Sequence, residues 1–186
     1  MHLPENIKTI LETATCLHPQ TAVETAFDEM AKHINETLAE TNPIFLCVLI
    51  GGIIPLGYLL PRLNFPLEVD YIHASRYEGK TTGGELSWHA QPRKSLKDRT
   101  IILVDDILDT GITLKALVDF CWAEGAKAVY TAVLVDKQHA RTAEGLQTAD
   151  FVGLSVENRY VFGYGLDYKE YLRNARGIFA VQKEFE

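Results

Sequence analysis

Three short aliphatic runs constrain this chain most: residues 44–50 (IFLCVLI), 101–104 (IILV) and 129–135 (VYTAVLV). Each has strand length and little polar alternation, the pattern of strands buried on both faces, as in a parallel sheet covered by helices. Helical patterns lie between them. Residues 53–60 and 112–124 read as helices, the second closed by Gly125, and residues 20–40 place Val23, Ala26, Phe27, Met30, Ala31, Ile34 and Leu38 at three- and four-residue spacing. The expected fold class is therefore α/β, a parallel β-sheet flanked by helices. No repeat, low-complexity tract or linker divides the sequence, so residues 1–186 are expected to form a single domain.

Residues 41–61 contain no charged side chain, which is the length of a membrane span. Gly51, Gly52, Pro55 and Gly57 interrupt the stretch, and strand, glycine turn and helix explain it better. The N-terminus lacks a basic region followed by an apolar stretch, so no secretory signal is expected. The formal charge of −7 disfavours a phosphate backbone or an anionic lipid surface as the main partner. Cys16, Cys47 and Cys121 are odd in number and widely spaced, which argues against a disulfide framework or a zinc site and suits a reducing cytoplasm. His73, His89 and His139 read as structural or solvated.

Parallel strands joined by crossover helices carry their functional loops at the carboxyl ends of the strands. Unusual residues follow all three runs: Gly51-Gly52, then Asp105 to Thr113 (DDILDTGIT), then Asp136-Lys137. A fourth candidate, residues 74–86, is polar and glycine-rich and reads as a mobile loop. Two adjacent carboxylates at the end of a buried strand are costly unless ribose hydroxyls or a cation receive them. The turn-to-helix run from Asp109 to Thr113 can converge its amides and the Thr110 and Thr113 hydroxyls on a phosphate. Asp109 would lie between the two groups, near the ribose C1. The plainer reading is a solvated acidic loop with Asp109 capping the helix.

The string Val104 to Thr113 (VDDILDTGIT) resembles the phosphoribosyl-pyrophosphate signature of type I phosphoribosyltransferases, and its surroundings resemble the hypoxanthine-guanine branch over roughly residues 40–180. The resemblance implies the type I phosphoribosyltransferase fold with a small hood subdomain. It implies purine salvage: transfer of a 5-phosphoribosyl group from phosphoribosyl pyrophosphate to hypoxanthine or guanine. Asp105 and Asp106 would face the ribose hydroxyls. Thr110, Gly111, Ile112 and Thr113 would hold the 5′-phosphate, and Asp109 would be the catalytic general base at purine N7. Lys137 resembles the lysine that reads the purine O6. Tyr160 would stack on the base, the Val161 backbone would meet its edge, and Asp167 would serve Mg²⁺, the implied cofactor. Arg173 would bind pyrophosphate. Gly51 and Gly52 match the pyrophosphate loop, where a non-proline cis peptide is implied, and Ser75, Arg76 and Tyr77 resemble the closing loop, with Arg76 separating the usual serine and tyrosine.

The chain departs from the family pattern in having Ile50 and Ile112 where relatives often carry lysine, which bears on affinity rather than on the reaction. Family members commonly form dimers or tetramers, so a homo-oligomer is expected. Two other readings compete. Asp109-Thr110-Gly111 after two hydrophobic residues resembles an aspartic-protease turn, but such enzymes need a second, facing motif that the chain lacks. A non-catalytic sensor acting through nucleic acid is disfavoured by the presence of Asp109, Lys137 and Arg173 and by the lack of a basic amphipathic extension.

Overall fold

In the computed structural model, which describes residues 5–76 and 86–185, the chain runs α1 (Glu5–Thr13), β1 (Thr15–Pro19), α2 (Gln20–Leu38), β2 (Ile44–Val48), α3 (Ile53–Leu59), β3 (Glu68–Arg76), β4 (Leu86–Ala90), β5 (Thr100–Leu108), α4 (Ile112–Ala123), β6 (Ala128–Lys137), β7 (Phe151–Val156), β8 (Val161–Phe162) and β9 (Gly177–Ala180). Single turns of 3₁₀ helix follow α3 and β9, at Leu60–Arg62 and Lys183–Phe185.

The main sheet has the order β4-β3-β2-β5-β6-β7. Its strands are parallel except the edge strand β4, which pairs antiparallel with β3. The apolar runs are continuous because both faces are covered. In β2, Phe45 and Cys47 join the cluster under α2 and α3, whereas Ile44, Leu46 and Val48 join the cluster under α4. In β5 the same alternation separates Ile102 and Val104 from Ile101 and Leu103. All seven periodic residues of α2 are buried, and the helix begins at the residue after Pro19, whose extended backbone (φ −69°, ψ 163°) starts no helix. Helix α4 ends as expected before Gly125, at φ +82°.

A second sheet, β1-β9-β8, joins the two ends of the chain. Ile7 and Ile10 of α1 pack there on Phe162, Tyr168 and Val181, and this small layer is the hood over the main sheet.

Strand lengths differ from expectation where the site lies. The apolar run of β5 stops at Val104, yet the strand continues through Asp105 and Asp106 to Leu108. Backbone pairing explains this. The β5–β6 ladder runs on to Leu108↔Asp136, and ladder hydrogen bonds do not require apolar side chains. The β2–β5 ladder ends earlier, at Cys47↔Val104. Beyond it β2 turns away and a crevice opens between the two strands. Chain connections leave β2 and β5 in opposite directions across the sheet, so this crevice is the topological switch point, where open α/β sheets bind ligands.

Candidate active site

The crevice holds a cavity of about 460 Å³. Gly51, Asp105, Asp106, Asp109, Thr110, Gly111, Thr113, Lys137, Tyr160, Val161, Asp167 and Arg173 all line it. Three expected residues stand elsewhere, and the side chains of two more, Arg76 and Tyr77, are outside the described part of the structure. Gly52 lies beneath, where a Cβ would meet the Val104 carbonyl oxygen at 2.4 Å. Ile112 is the first residue of α4, outside the lining. Ser75 is exposed and its Oγ is 2.9 Å from His89 Nε2, away from the cavity, which β3 reaches through Ala74. Arg76 is the last residue of β3. Tyr77, with the remainder of the expected closing loop to residue 85, lies outside the described residues.

The Gly51-Gly52 loop fits tightly against β5. The Leu49–Ile50 peptide is cis, just before Gly51. A Cβ on Gly51 would lie 2.1 Å from Asp106 Oδ2, so only glycine lets the loop backbone approach that carboxylate. Asp106 is 9% exposed. Its partner on the far wall comes from the segment after β8: Arg173 Nη1 lies 3.7 Å from Asp106 Oδ2, and Arg173 Nη2 lies 2.7 Å from Asp167 Oδ1. The arginine also donates to the Gly165 carbonyl at 2.6 Å. Burial and the neighbouring Asp106 charge hold Asp105 well above the usual carboxylate range. Burial raises Asp106 too, against the opposing pull of its hydrogen bond to Asp105 and of the Arg173 charge.

Gly111 caps α4 in the left-handed conformation, φ +81°, and no side chain caps that helix. Asp109 is therefore not the helix cap of the plainer reading. Its Oδ2 instead accepts a hydrogen bond from Lys137 Nζ at 2.7 Å. The lysine side chain is 12% exposed and the aspartate 45%, so the pair stands at the wall with the carboxylate facing the opening. Opposite, Tyr160 makes an edge contact with Tyr168 at 5.3 Å between ring centroids. In one cavity the structure thus combines two adjacent carboxylates, an arginine, a helix amino end on a glycine turn, a lysine–aspartate pair and an aromatic ring.

Comparison with known proteins gives this arrangement its family. Residues 14–169 match the phosphoribosyl transferase domain. The chain belongs to the phosphoribosyltransferase family. Among similar sequences are the hypoxanthine-guanine-xanthine phosphoribosyltransferase of Tritrichomonas foetus, 32% identical over 158 residues covering 85% of this chain and 86% of that protein, and the hypoxanthine-guanine phosphoribosyltransferase of Leishmania donovani, 35% identical over 183 residues covering 93% and 86%. Among solved structures, the hypoxanthine phosphoribosyl transferase of Trypanosoma cruzi superposes with a TM-score of 0.84 at 27% identity, covering 91% of this chain and 92% of that one.

In this phosphoribosyltransferase the structure also places behind the cavity wall an arginine that its sequence did not mark. Arg141 reaches back from the segment after β6 to the Leu108 and Lys137 carbonyls at 2.6 and 3.1 Å, and to the Asp109 carbonyl. It also pairs with Asp136. A lone arginine in a polar stretch carries no spacing signal, so only the fold reveals it.

Proposed function

We propose that this chain is a purine salvage enzyme that joins hypoxanthine, guanine or both to phosphoribosyl pyrophosphate, giving the nucleoside 5′-monophosphate and pyrophosphate. One observation carries the reading: Asp105, Asp106, the Thr110–Thr113 turn and the Asp109–Lys137 pair share a single cavity. That set has acceptors for the ribose hydroxyls, donors for the 5′-phosphate and a donor–acceptor pair for a 6-oxopurine.

In the reaction the bond from ribose C1 to the pyrophosphate oxygen breaks and purine N9 bonds to C1. Asp105 and Asp106 accept hydrogen bonds from the ribose hydroxyls and set negative charge beside the cationic ring of the transition state. The amides and hydroxyls of residues 110–113 grip the 5′-phosphate at the amino end of α4. Asp109 accepts the N7 proton and Lys137 donates to O6, the two ends of their ion pair exchanging each other for the base. Tyr160 stacks on the purine ring, and the Val161 backbone meets its edge. Arg173 exchanges Asp167 for the pyrophosphate. Gly51 and Gly52 line and support the pyrophosphate loop, and residues 75–77 (Ser75, Arg76, Tyr77) belong to the segment that closes over it.

Mg²⁺ fits the donor set. Among the described residues no group of three or more His, Cys, Asp or Glu gathers to cage a metal. Mg²⁺ however takes one or two carboxylates, waters and substrate phosphates rather than a protein cage, and Asp167 offers a hard oxygen ligand on the cavity wall. When bound, the ion supplies positive charge to the departing pyrophosphate.

The remaining expectations are part of the same reading. Residues 1–186 act as one phosphoribosyltransferase domain. The chain assembles as a homodimer or homotetramer, supported by Ile50 and Ile53, each 52% exposed beside the pyrophosphate loop. A reducing cytoplasm suits the free Cys16 and the buried Cys47 and Cys121, whose thiols burial pushes up to about 12. No described helix is long and apolar enough to cross a membrane. A pyrophosphate-release assay with phosphoribosyl pyrophosphate and hypoxanthine, guanine, xanthine or adenine tests the reading. Turnover with a 6-oxopurine is expected; binding of phosphoribosyl pyrophosphate without turnover of any base would make the chain a sensor instead.

A further inference from the structure

Residues 138–150 connect β6 to β7 without regular structure, yet they are fastened to the turn before α4 by backbone contacts. Thr142 N donates to the Thr110 carbonyl at 3.2 Å and Leu146 N to the Gly111 carbonyl at 2.9 Å. The approach is too close for side chains: a Cβ on Gly145 would lie 2.1 Å from the Thr110 carbonyl oxygen. Arg141 stands within this seam and its side chain is 14% exposed.

A guanidinium has five N–H donors in a rigid plane and no acceptor. Here all but Nε are spent on two neighbouring strand ends. Nη1 shares its two hydrogens among the carbonyls of Leu108 and Asp109, at and just past the end of β5, and of Lys137 at the end of β6. Nη2 meets the Asp136 carboxylate, and Nε reaches the Gln147 carbonyl at 3.4 Å. The backbones so joined are those of Asp109 and Lys137, whose side chains meet in the cavity at 2.7 Å. Arg141 itself is not part of the cavity lining.

We propose that Arg141 is a positioning residue of the purine subsite, a fork that fixes the Asp109 backbone against the Lys137 backbone so that both side chains meet the base at the correct separation. This rests on the reading of the cavity as a phosphoribosyltransferase site. The 5′-phosphate turn depends on it less, because Thr142 and Leu146 hold residues 110 and 111 through bonds of their own. A lysine cannot substitute, since a point charge on a flexible stem cannot span three carbonyls and a carboxylate.

The test is steady-state kinetics of Arg141→Ala and Arg141→Lys with each substrate varied in turn, beside thermal melting. In Arg141→Ala, kcat/KM for hypoxanthine should fall on the order of 100-fold, the cost of misplacing reacting groups by about an ångström, while KM for phosphoribosyl pyrophosphate shifts by less than about threefold. Guanidinium ion added to Arg141→Ala should restore activity by roughly tenfold without restoring the melting temperature. Arg141→Lys, which keeps charge and stem, should fold and show the same bias against hypoxanthine; it decides the matter if the alanine variant does not fold. Wild-type kinetics in the lysine variant, or equal losses for both substrates with no response to guanidinium, would overturn the proposal while leaving the function intact. A wild-type protein that released no pyrophosphate would sink the functional reading and this proposal with it.

Discussion

Lys137 Nζ lies 2.7 Å from Asp109 Oδ2, linking the carboxyl ends of two adjacent parallel strands. The two groups that would address the purine edge are thus held ready by each other, and base binding replaces one charge-assisted bond with two. Lys137→Ala removes the O6 donor and leaves Asp109 without its partner. Because a hydrogen bond to a charged group is worth about 1.5–3 kcal/mol, the preference for hypoxanthine over adenine should fall roughly 10- to 100-fold. Competition kinetics with the two bases check this; unchanged discrimination would reject the O6 contact.

Asp109→Asn keeps the shape of the side chain and removes its basicity. A positioned general base contributes about two to four powers of ten, so kcat should fall within that range while nucleotide affinity changes far less. Equal activity would remove the base assignment.

Asp105 shows a cost in stability. Burial and the Asp106 charge raise its folded-state pKa well above 3.8, so the native state retains a proton that the unfolded chain has lost. Stability therefore declines as pH rises from the unfolded value towards the raised one, and the full penalty remains above it. Asp105→Asn carries no such charge. The variant should melt higher than the wild type at neutral pH, by about 2–4 °C for each kcal/mol relieved, and the gap should close as pH falls towards 4. Its affinity for phosphoribosyl pyrophosphate should drop. Melting curves from pH 4 to 8 check the sign.

The opposite sign is expected at Asp70. Burial alone would raise this carboxyl, but it accepts backbone N–H bonds from Lys94, Tyr71 and Arg93 at 2.9, 2.9 and 2.7 Å, and the net shift is downward from 3.8. Its contribution is present above that ordinary value and lost as pH falls through the lowered one. Asp70→Ala should cost about 1–3 kcal/mol at neutral pH, since three donors lose their acceptor, and the difference from wild type should shrink in acid. Urea titrations at two pH values measure it.

Ile50 stands 52% exposed just before Gly51-Gly52, the proposed pyrophosphate loop. Ile50→Lys would add a cation beside the leaving group. A half-exposed ion pair is worth up to about 1 kcal/mol, so KM for phosphoribosyl pyrophosphate should fall several-fold with kcat little changed. An unaltered KM would mean that residue 50 lies beyond reach of the substrate.

Which parts of this molecule were legible in its sequence follows from what each residue contacts. The buried strands and α2 declared themselves because both faces of the sheet, or one face of the helix, contact apolar neighbours throughout. Strand β3 did not: Val69 and Tyr71 are exposed at 42% and 40%, whereas Asp70 is buried under backbone donors, inverting the usual pattern. Asp105 and Asp106 read as the point where the apolar strand ends, yet β5 runs on through them to Leu108 because β6 supplies their ladder. The two residues of β8 and four of β9 exist only because the chain ends meet there. Most of the cavity lining could be anticipated, since its residues fall at strand ends in a dense chemical pattern. Arg141 could not, because its importance lies in carbonyls that the sequence does not display.

The most direct test is a crystal structure with a nucleoside 5′-monophosphate bound. The phosphate should rest on the amides of residues 110–113, the ribose hydroxyls within hydrogen-bond distance of Asp105 and Asp106, and the base between Tyr160 and Lys137. A nucleotide bound elsewhere, with the turn before α4 unengaged, would contradict the account.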